Sequence, residues 1–399
     1  MNAIRDCALN MERCDTHGHL GVQFEELDAT VAACAGLDSA NQIAVSRSLA
    51  AGCRSLYGVD PGPFLTADAS PEIFKCAREL RKKGAKAALE YALGKARIKH
   101  QLVFSGQLGF QDHRPSNHPF QNFSSRLRVL AYIDPLITGD DWAFTPQGKN
   151  PGFCWHKSVC GHLGDLRTLA DYLHALDTEI NQWRGFGVVG MKLGLAYTTG
   201  LFFSDPTREQ AEQAFARREA MSFEDVRLVQ DFAVRHVLLA CQRNRFPVVI
   251  HTGWLAWGQG DLRQSNPMLL HNLIADSRYR DITFVLLHGG TPAYTGETTY
   301  LAGAFPNVYL DMTWISWFTR TRFRQALAEW LEAVPLNRFC IGSDSGTLEN
   351  IVGIDTMIRE ELAVTLEDCV TRRILDEKHA LAFLENTYTH TPQKLFSLE

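Results

Sequence analysis

The stretch Ile282-Thr283-Phe284-Val285-Leu286-Leu287-His288-Gly289-Gly290 runs apolar on both parities up to Leu287, then stops at a histidine and two glycines. A strand with one wet face alternates apolar and polar residues. A continuous β-branched and aromatic run instead reads as a strand covered on both faces, as in a parallel sheet flanked by helices. The same form recurs just upstream in Pro247-Val248-Val249-Ile250-His251-Thr252-Gly253 and in Gly187-Val188-Val189-Gly190-Met191-Lys192-Leu193. It recurs downstream in Val308-Tyr309-Leu310-Asp311-Met312 and in Phe339-Cys340-Ile341-Gly342-Ser343-Asp344-Ser345. Three earlier runs complete the series: Cys14 to Leu20, His100 to Ser105, and Leu127 to Asp134 with Pro135 turning behind it.

Segments with helical spacing separate most of these runs: Leu166 to Trp183, Thr207 to Ala220, Phe223 to Arg243, Asn266 to Ile274, Thr299 to Phe305 and Thr321 to Val334, with a helical tail from Val352. Eight strand-like runs alternating with helices predict an α/β fold, a (β/α)8 TIM barrel, as one domain over residues 1–399. The region from about 24 to 99 breaks the alternation. It reads as a helical insertion after the first strand, a lid or a packing surface, with helices over Leu37 to Leu56 and Pro71 to Lys95 parted by Tyr57-Gly58-Val59-Asp60-Pro61-Gly62-Pro63. Gly109 to Phe123 reads as a loop, and Thr138 to Cys160 as irregular.

Net charge is −5, which argues against a nucleic-acid footprint. The densest basic block, Arg78 to Lys86, reads as the solvated end of a helix. No apolar run approaches the roughly 18–20 residues of a membrane helix. The ten cysteines are scattered without a Cys-x-x-Cys pair and read as reduced thiols of a cytoplasmic protein. The expected partner is a small molecule, with neither nucleic acid nor membrane involved. Large barrels often dimerise, which keeps a homo-oligomer in view.

The polar residues carry the functional signal. His17 and His19 end the first strand, Lys192 the fourth, His251 the fifth, His288 the sixth and Asp344 the eighth. In a parallel barrel all C-terminal strand ends open on one mouth, so these side chains are expected to meet there. His17 and His19, two apart on an extended strand, share a face and make half of a metal site. An apolar strand ending in histidine or aspartate is costly unless that residue has a partner. Any one histidine taken alone is more readily a satisfied core residue; the whole set, in register with five strand ends, is not.

The motifs Asp15-Thr16-His17-Gly18-His19, Gly190-Met191-Lys192, His251-Thr252-Gly253, Leu287-His288-Gly289 and Gly342-Ser343-Asp344 resemble the amidohydrolase superfamily, in particular its amidohydrolase-2 (amidohydrolase-related) branch. Phe305 to Asp311 and Asn266 to Leu270 resemble that branch as well. Within it the chain is most similar to a subgroup of TIM-barrel metal-dependent hydrolases that includes the N-terminal domain of fungal proteins fused to a glutamine-synthetase-like module. The resemblance implies His17, His19, His251 and Asp344 as metal ligands, with Lys192 added if carbamylated and His288 if the centre is binuclear. It implies catalytic roles for Asp344, as general base and acid, and for His288 and His251. One or two divalent ions per chain are expected, zinc first, with manganese, iron or nickel as alternatives.

The expected reaction is hydrolysis of an amide, lactone or similar bond in a small carboxylated molecule. Candidates for holding the substrate are the cations Lys192, Arg128 and Arg263 and the aromatic walls Trp254 and Trp314, with Arg126, Trp257 and Trp317 beside them. A decarboxylase of the same superfamily is the alternative. A uronate isomerase-like enzyme ranks lower, because its relatives carry an arginine after the last-strand aspartate where Ser345 and Gly346 stand here. A non-catalytic binding protein stabilised by a metal is the rival from another class.

Overall fold

Parallel strands follow one another in chain order in one eight-stranded sheet, in a computed structural model that describes residues 2–19, 27–34, 36–104, 124–140 and 152–398. They are β1 (Arg13–Gly18), β2 (Ile98–Phe104), β3 (Leu127–Tyr132), β4 (Val188–Leu193), β5 (Val248–His251), β6 (Phe284–Leu287), β7 (Val308–Asp311) and β8 (Phe339–Cys340). Helices return the chain between them, and the fold is the (β/α)8 barrel that the apolar runs predict. The expected loop at Gly109 to Phe123 lies outside the described residues. The chain divides into two compact units: one holds the described residues of 2–104, 124–128 and 310–398, the other those of 129–309.

In the first unit β1 pairs with β2, and β7 with β8. The regular part of β8 is only two residues long, shorter than the expected strand through Ser345. Beyond Cys340 the backbone turns its hydrogen bonds to β1: Thr16 N–H to Ile341 O (3.2 Å), Asp344 N–H to His17 O (2.7 Å) and His19 N–H to Ser345 O (2.9 Å). Gly342 allows this approach, since a Cβ there would stand 2.6 Å from the His17 nitrogen.

Between β1 and β2 lie α2 (Leu27–Cys34), α3 (Ala40–Tyr57), α4 (Pro71–Arg81) and α5 (Ala85–Lys95), after an entry helix α1 (Asn2–Asn10). The expected single helix from Pro71 to Lys95 is two, split at Gly84, whose φ of 89° a helix cannot carry. Leu27, Val31, Leu49, Ala50, Cys53, Leu65, Ile73 and Ala77 form a core of the insertion's own. α3 crosses the helix Leu348–Thr371 at glycine contacts on both sides: a Cβ on Gly52 would meet Glu349 O at 1.9 Å, and one on Gly353 would meet Ser48 O at 1.8 Å. The reading of Arg78 to Lys86 as a solvated helix end holds at Arg78, Lys82, Lys83 and Lys86, which are exposed, and fails at Arg81. The Arg81 side chain is 9% exposed, and its guanidinium forks onto fully buried Glu349 at 2.7 and 2.9 Å, while the Tyr57 hydroxyl donates to the same carboxylate at 2.6 Å. The insertion is therefore packed onto the helix that leaves β8.

In the second unit β3, β4, β5 and β6 pair in order, with Tyr132 opposite Lys192 and Lys192 opposite Val249. Its helices begin where the chain supplies caps: Thr168 and Ser222 close capping boxes with Asp171 and Asp225. Asn266 to Ile274, expected as one helix, is a 3-10 turn over Pro267–Leu270 followed by one helical turn, His271–Ile274. Within Thr138 to Cys160, expected as irregular, Trp155 opens a helix that runs to Leu163.

Candidate metal centre

At the C-terminal ends of β1 and β8 three ligand-type side chains meet. His17, His19 and Asp344 place their donor atoms within 4.8 Å of one another, and among the described residues they are the one such group of three. His17 Nε2 lies 3.3 Å from Asp344 Oδ1, and His19 Nε2 contacts the same oxygen. Burial opposes ionisation of Asp344, but the two imidazoles outweigh it through charge and hydrogen bonds and hold the carboxyl well below its usual range. Asp344 adopts φ 47°, a left-handed conformation that a short polar side chain tolerates and that an extended strand would not supply. Two imidazole nitrogens and a carboxylate oxygen, nearly dry and aimed at one point, are a donor set that fits a divalent ion such as zinc.

Phe104, at the end of β2, walls this cluster. Its ring stacks on His17 (centroids 5.3 Å apart) and meets His19 edge-on (4.7 Å). Polar groups support it from below: Asp15 and Asp311 are both buried and bond across β1, β7 and β8. In sequence Phe104 reads as an ordinary strand residue, while Asp15 opens the Asp15-Thr16-His17-Gly18-His19 motif and carries a signal, a charged group two residues before His17 inside a buried strand.

The second unit carries Lys192, His251 and His288, all buried. His251 Nε2 faces Trp254 O at 2.8 Å, so that nitrogen bears the proton and Nδ1 is the acceptor, facing His288 Nε2 at 3.2 Å. His288 sits in the left-handed region (φ 66°), one residue past β6, which turns it out of the strand. The Tyr197 ring lies 4.5 Å from that of His251.

Tyr132 and Asp134, at the end of β3, went unnoticed in the sequence. Burial pushes the Asp134 carboxyl up to about 7, against the Gly194 N–H, the Lys192 charge and the Tyr132 hydroxyl, which favour its ionised form. Between pH 3.8 and about 7 the folded chain keeps a proton here that the unfolded chain has released, so this group lowers stability as pH rises through that window. Asp134→Asn has no such proton to lose. Its denaturation midpoint relative to the parent chain should therefore rise between about pH 4 and about pH 7; a difference independent of pH would refute this.

The residues expected to hold substrate are placed as follows. Arg128 stands at the N-terminal start of β3, donating to Ser125 O and Leu127 O, at the strand end opposite to the one that carries Tyr132. Arg263 is solvent-exposed and paired with Asp261 at 2.8 Å, a surface ion pair. Arg126 pairs with Glu90 at 3.0 Å. Trp254 is half-buried, and Trp314 is buried against Phe318 (centroids 5.5 Å apart), as is Trp317 (4.7 Å). The Trp257 side chain lies outside the described residues.

A barrel with a His-His-Asp cluster at its strand ends defines a class, and comparison with known proteins identifies it. The chain belongs to the amidohydrolase family, whose model (Amidohydro_2) matches residues 110–396. That match contains Lys192, His251, His288 and Asp344, while His17 and His19 precede it. Protein fluG of Emericella nidulans is 31% identical over 227 residues, 53% of this chain; the aligned part spans 26% of that relative's length. Among solved structures, a proposed metal-dependent hydrolase from Lactobacillus casei superposes with a TM-score of 0.72 at 17% identity, covering 99% of this chain and 97% of that one. Uronate isomerase from Thermotoga maritima superposes with a TM-score of 0.73 at 13% identity, covering 99% and 96%. At these identities the likeness is one of fold.

Proposed function

We propose that the protein is a metal-dependent hydrolase of an amide, lactone or similar bond in a small carboxylated molecule, with zinc held by His17, His19 and Asp344. The observation that supports this is the part-buried convergence of two imidazole nitrogens on one Asp344 oxygen, in a chain of the amidohydrolase family. A bound divalent ion would bring the pKa of a water down to about 7 and polarise a carbonyl. Asp344, ionised across the physiological range, accepts a proton from the attacking water and returns it to the leaving group. His251 and His288, paired through His288 Nε2 and His251 Nδ1, are the catalytic candidates that the second unit supplies. Lys192 holds the substrate carboxylate; if carbamylated, it and His288 would instead serve a second ion. We place the protein in a reducing, cytoplasmic compartment, supported by ten free thiols.

Metal per chain, measured by elemental analysis on protein purified without chelator and with bicarbonate present, tests this reading. One ion per chain, unchanged in Lys192→Ala, supports the mononuclear form with Lys192 as a substrate contact. Two ions falling to one or none in Lys192→Ala support a carbamate-bridged pair. No metal in either protein would overturn the proposal. Release of carbon dioxide with turnover would replace hydrolysis by decarboxylation.

A further inference from the structure

Asp15 is buried two residues before His17, and each partner that its carboxylate meets is a donor. Its Oδ1 accepts from the backbone N–H of Ser343 at 2.8 Å and of His17 at 3.3 Å. Its Oδ2 accepts from the Ser343 hydroxyl at 2.6 Å and from the Gln101 amide at 3.1 Å. Ser343 immediately precedes Asp344, so this one carboxylate grips both backbones that deliver the three ligand-type residues. Gln101 reaches it from β2 by lying over Gly18, where a Cβ would stand 2.7 Å from Gln101 Nε2. The glycine between the two histidines is thus what admits the third arm of the contact.

Asp311 works on the same backbones from β7. It accepts from the Thr16 hydroxyl and the Thr313 N–H, each at 2.8 Å, and the Thr313 hydroxyl accepts from Gly342 N–H at 2.8 Å. A buried carboxylate is expensive unless it is fully hydrogen-bonded, and an apolar side chain would fill the space at lower cost. The Asp15 bonds converge on Ser343 and His17, and those of Asp311 and Thr313 reach Thr16 and Gly342, all within two residues of His17 or Asp344.

We propose that Asp15 is a positioning residue for the metal centre: through Ser343, the His17 N–H and Gln101 it sets the separation and angle at which β1 presents His17 and His19 to Asp344. This rests on the metal-dependent reading above. In Asp15→Asn the Oδ1 contacts survive, but an amide NH2 faces Gln101 Nε2, donor against donor, and the Ser343 hydroxyl loses its acceptor. Ser343→Ala removes the hydroxyl arm alone.

The test is zinc affinity of the full apo chain, read by competition with a chromophoric chelator well below the melting temperature. Asp15→Asn is expected to weaken zinc binding about 10–100-fold, and Ser343→Ala in the same direction by less. Leu176→Ala, which opens a cavity under the helix Leu169–Gln182 of the second unit and so destabilises the chain, should leave zinc affinity within about twofold of the parent chain. Parent-like zinc affinity in Asp15→Asn, or equal weakening in Leu176→Ala, would overturn the positioning role. Should Asp15→Asn not fold, parent-like affinity in Ser343→Ala would overturn it. Failure of the parent chain itself to bind zinc would instead sink the metal-dependent reading, which separates the two.

Discussion

Asp344→Asn is expected to lower kcat by about 10³-fold on any activated ester or lactone that the parent chain hydrolyses, the scale of a lost general acid–base group. Asparagine keeps the shape of the side chain and can still meet one imidazole. It cannot take a proton from water, and it leaves His17 and His19 without the anion that both now face. Metal occupancy should fall in the same variant, because one of three ligands loses its charge. Paired measurements of turnover and metal content separate the two losses when the assay is repeated at saturating zinc: occupancy recovers and turnover does not. A protein that used the centre only to stabilise a binding site would keep its ligand affinity once zinc was restored. Full turnover in the zinc-saturated variant would remove Asp344 from the chemistry.

The second large effect is on stability. Arg81→Met should destabilise the chain by about 3–5 kcal/mol, the cost of leaving a buried charge without its partner. Glu349 is fully buried, and its carboxylate rests on the Arg81 fork and the Tyr57 hydroxyl; methionine fills the volume and supplies no charge. The double variant Arg81→Met, Glu349→Gln removes both charges and should recover most of the loss, since a buried pair is often worth little against a neutral replacement of similar size. Denaturant midpoints of the two singles and the double complete the cycle. Additive losses would mean that the guanidinium acts only through its packing. The pair ties α3 and α4 to the first turn of the helix that follows Asp344, so the same variants report how firmly the insertion is held to the first unit.

Much of this was legible in the order of residues, because a strand buried on both faces must be apolar along its length. Most of the eight runs stand out for that reason and predict the barrel without knowledge of any contact; Cys14 to Leu20, with Asp15, His17 and His19 in it, is the exception. The strand-end histidines were visible by contrast: His251 and His288 directly follow the wholly apolar stretches Val248 to Ile250 and Phe284 to Leu287. His17 and His19 were visible by their spacing. Less legible were the features that depend on partners distant in the chain. Arg81 sits in a basic block that reads as solvated, and only its partner Glu349, 268 residues away, makes it a buried anchor. Arg128 and Arg263 look like substrate cations in sequence; local carbonyls hold one and Asp261 the other.

The sequence by itself determined the periodicity of every strand, the helical break after β1, and the residue types able to hold a metal. Those follow from burial and from ligand chemistry, which are local properties of the chain. Which of those ligands meet was decided by tertiary structure. β8 gives up its regular pairing after Cys340 and bonds to β1 instead, Gly342 lets the two backbones touch, and the left-handed turn at Asp344 brings its carboxylate to His17 and His19. Asp15 stood in the sequence as a charge two residues before His17, and its role came into view only with Ser343 and Gln101 placed around it. The physical reason is the same in each case: a hydrogen bond between residues hundreds of positions apart leaves no periodic trace in the chain that makes it.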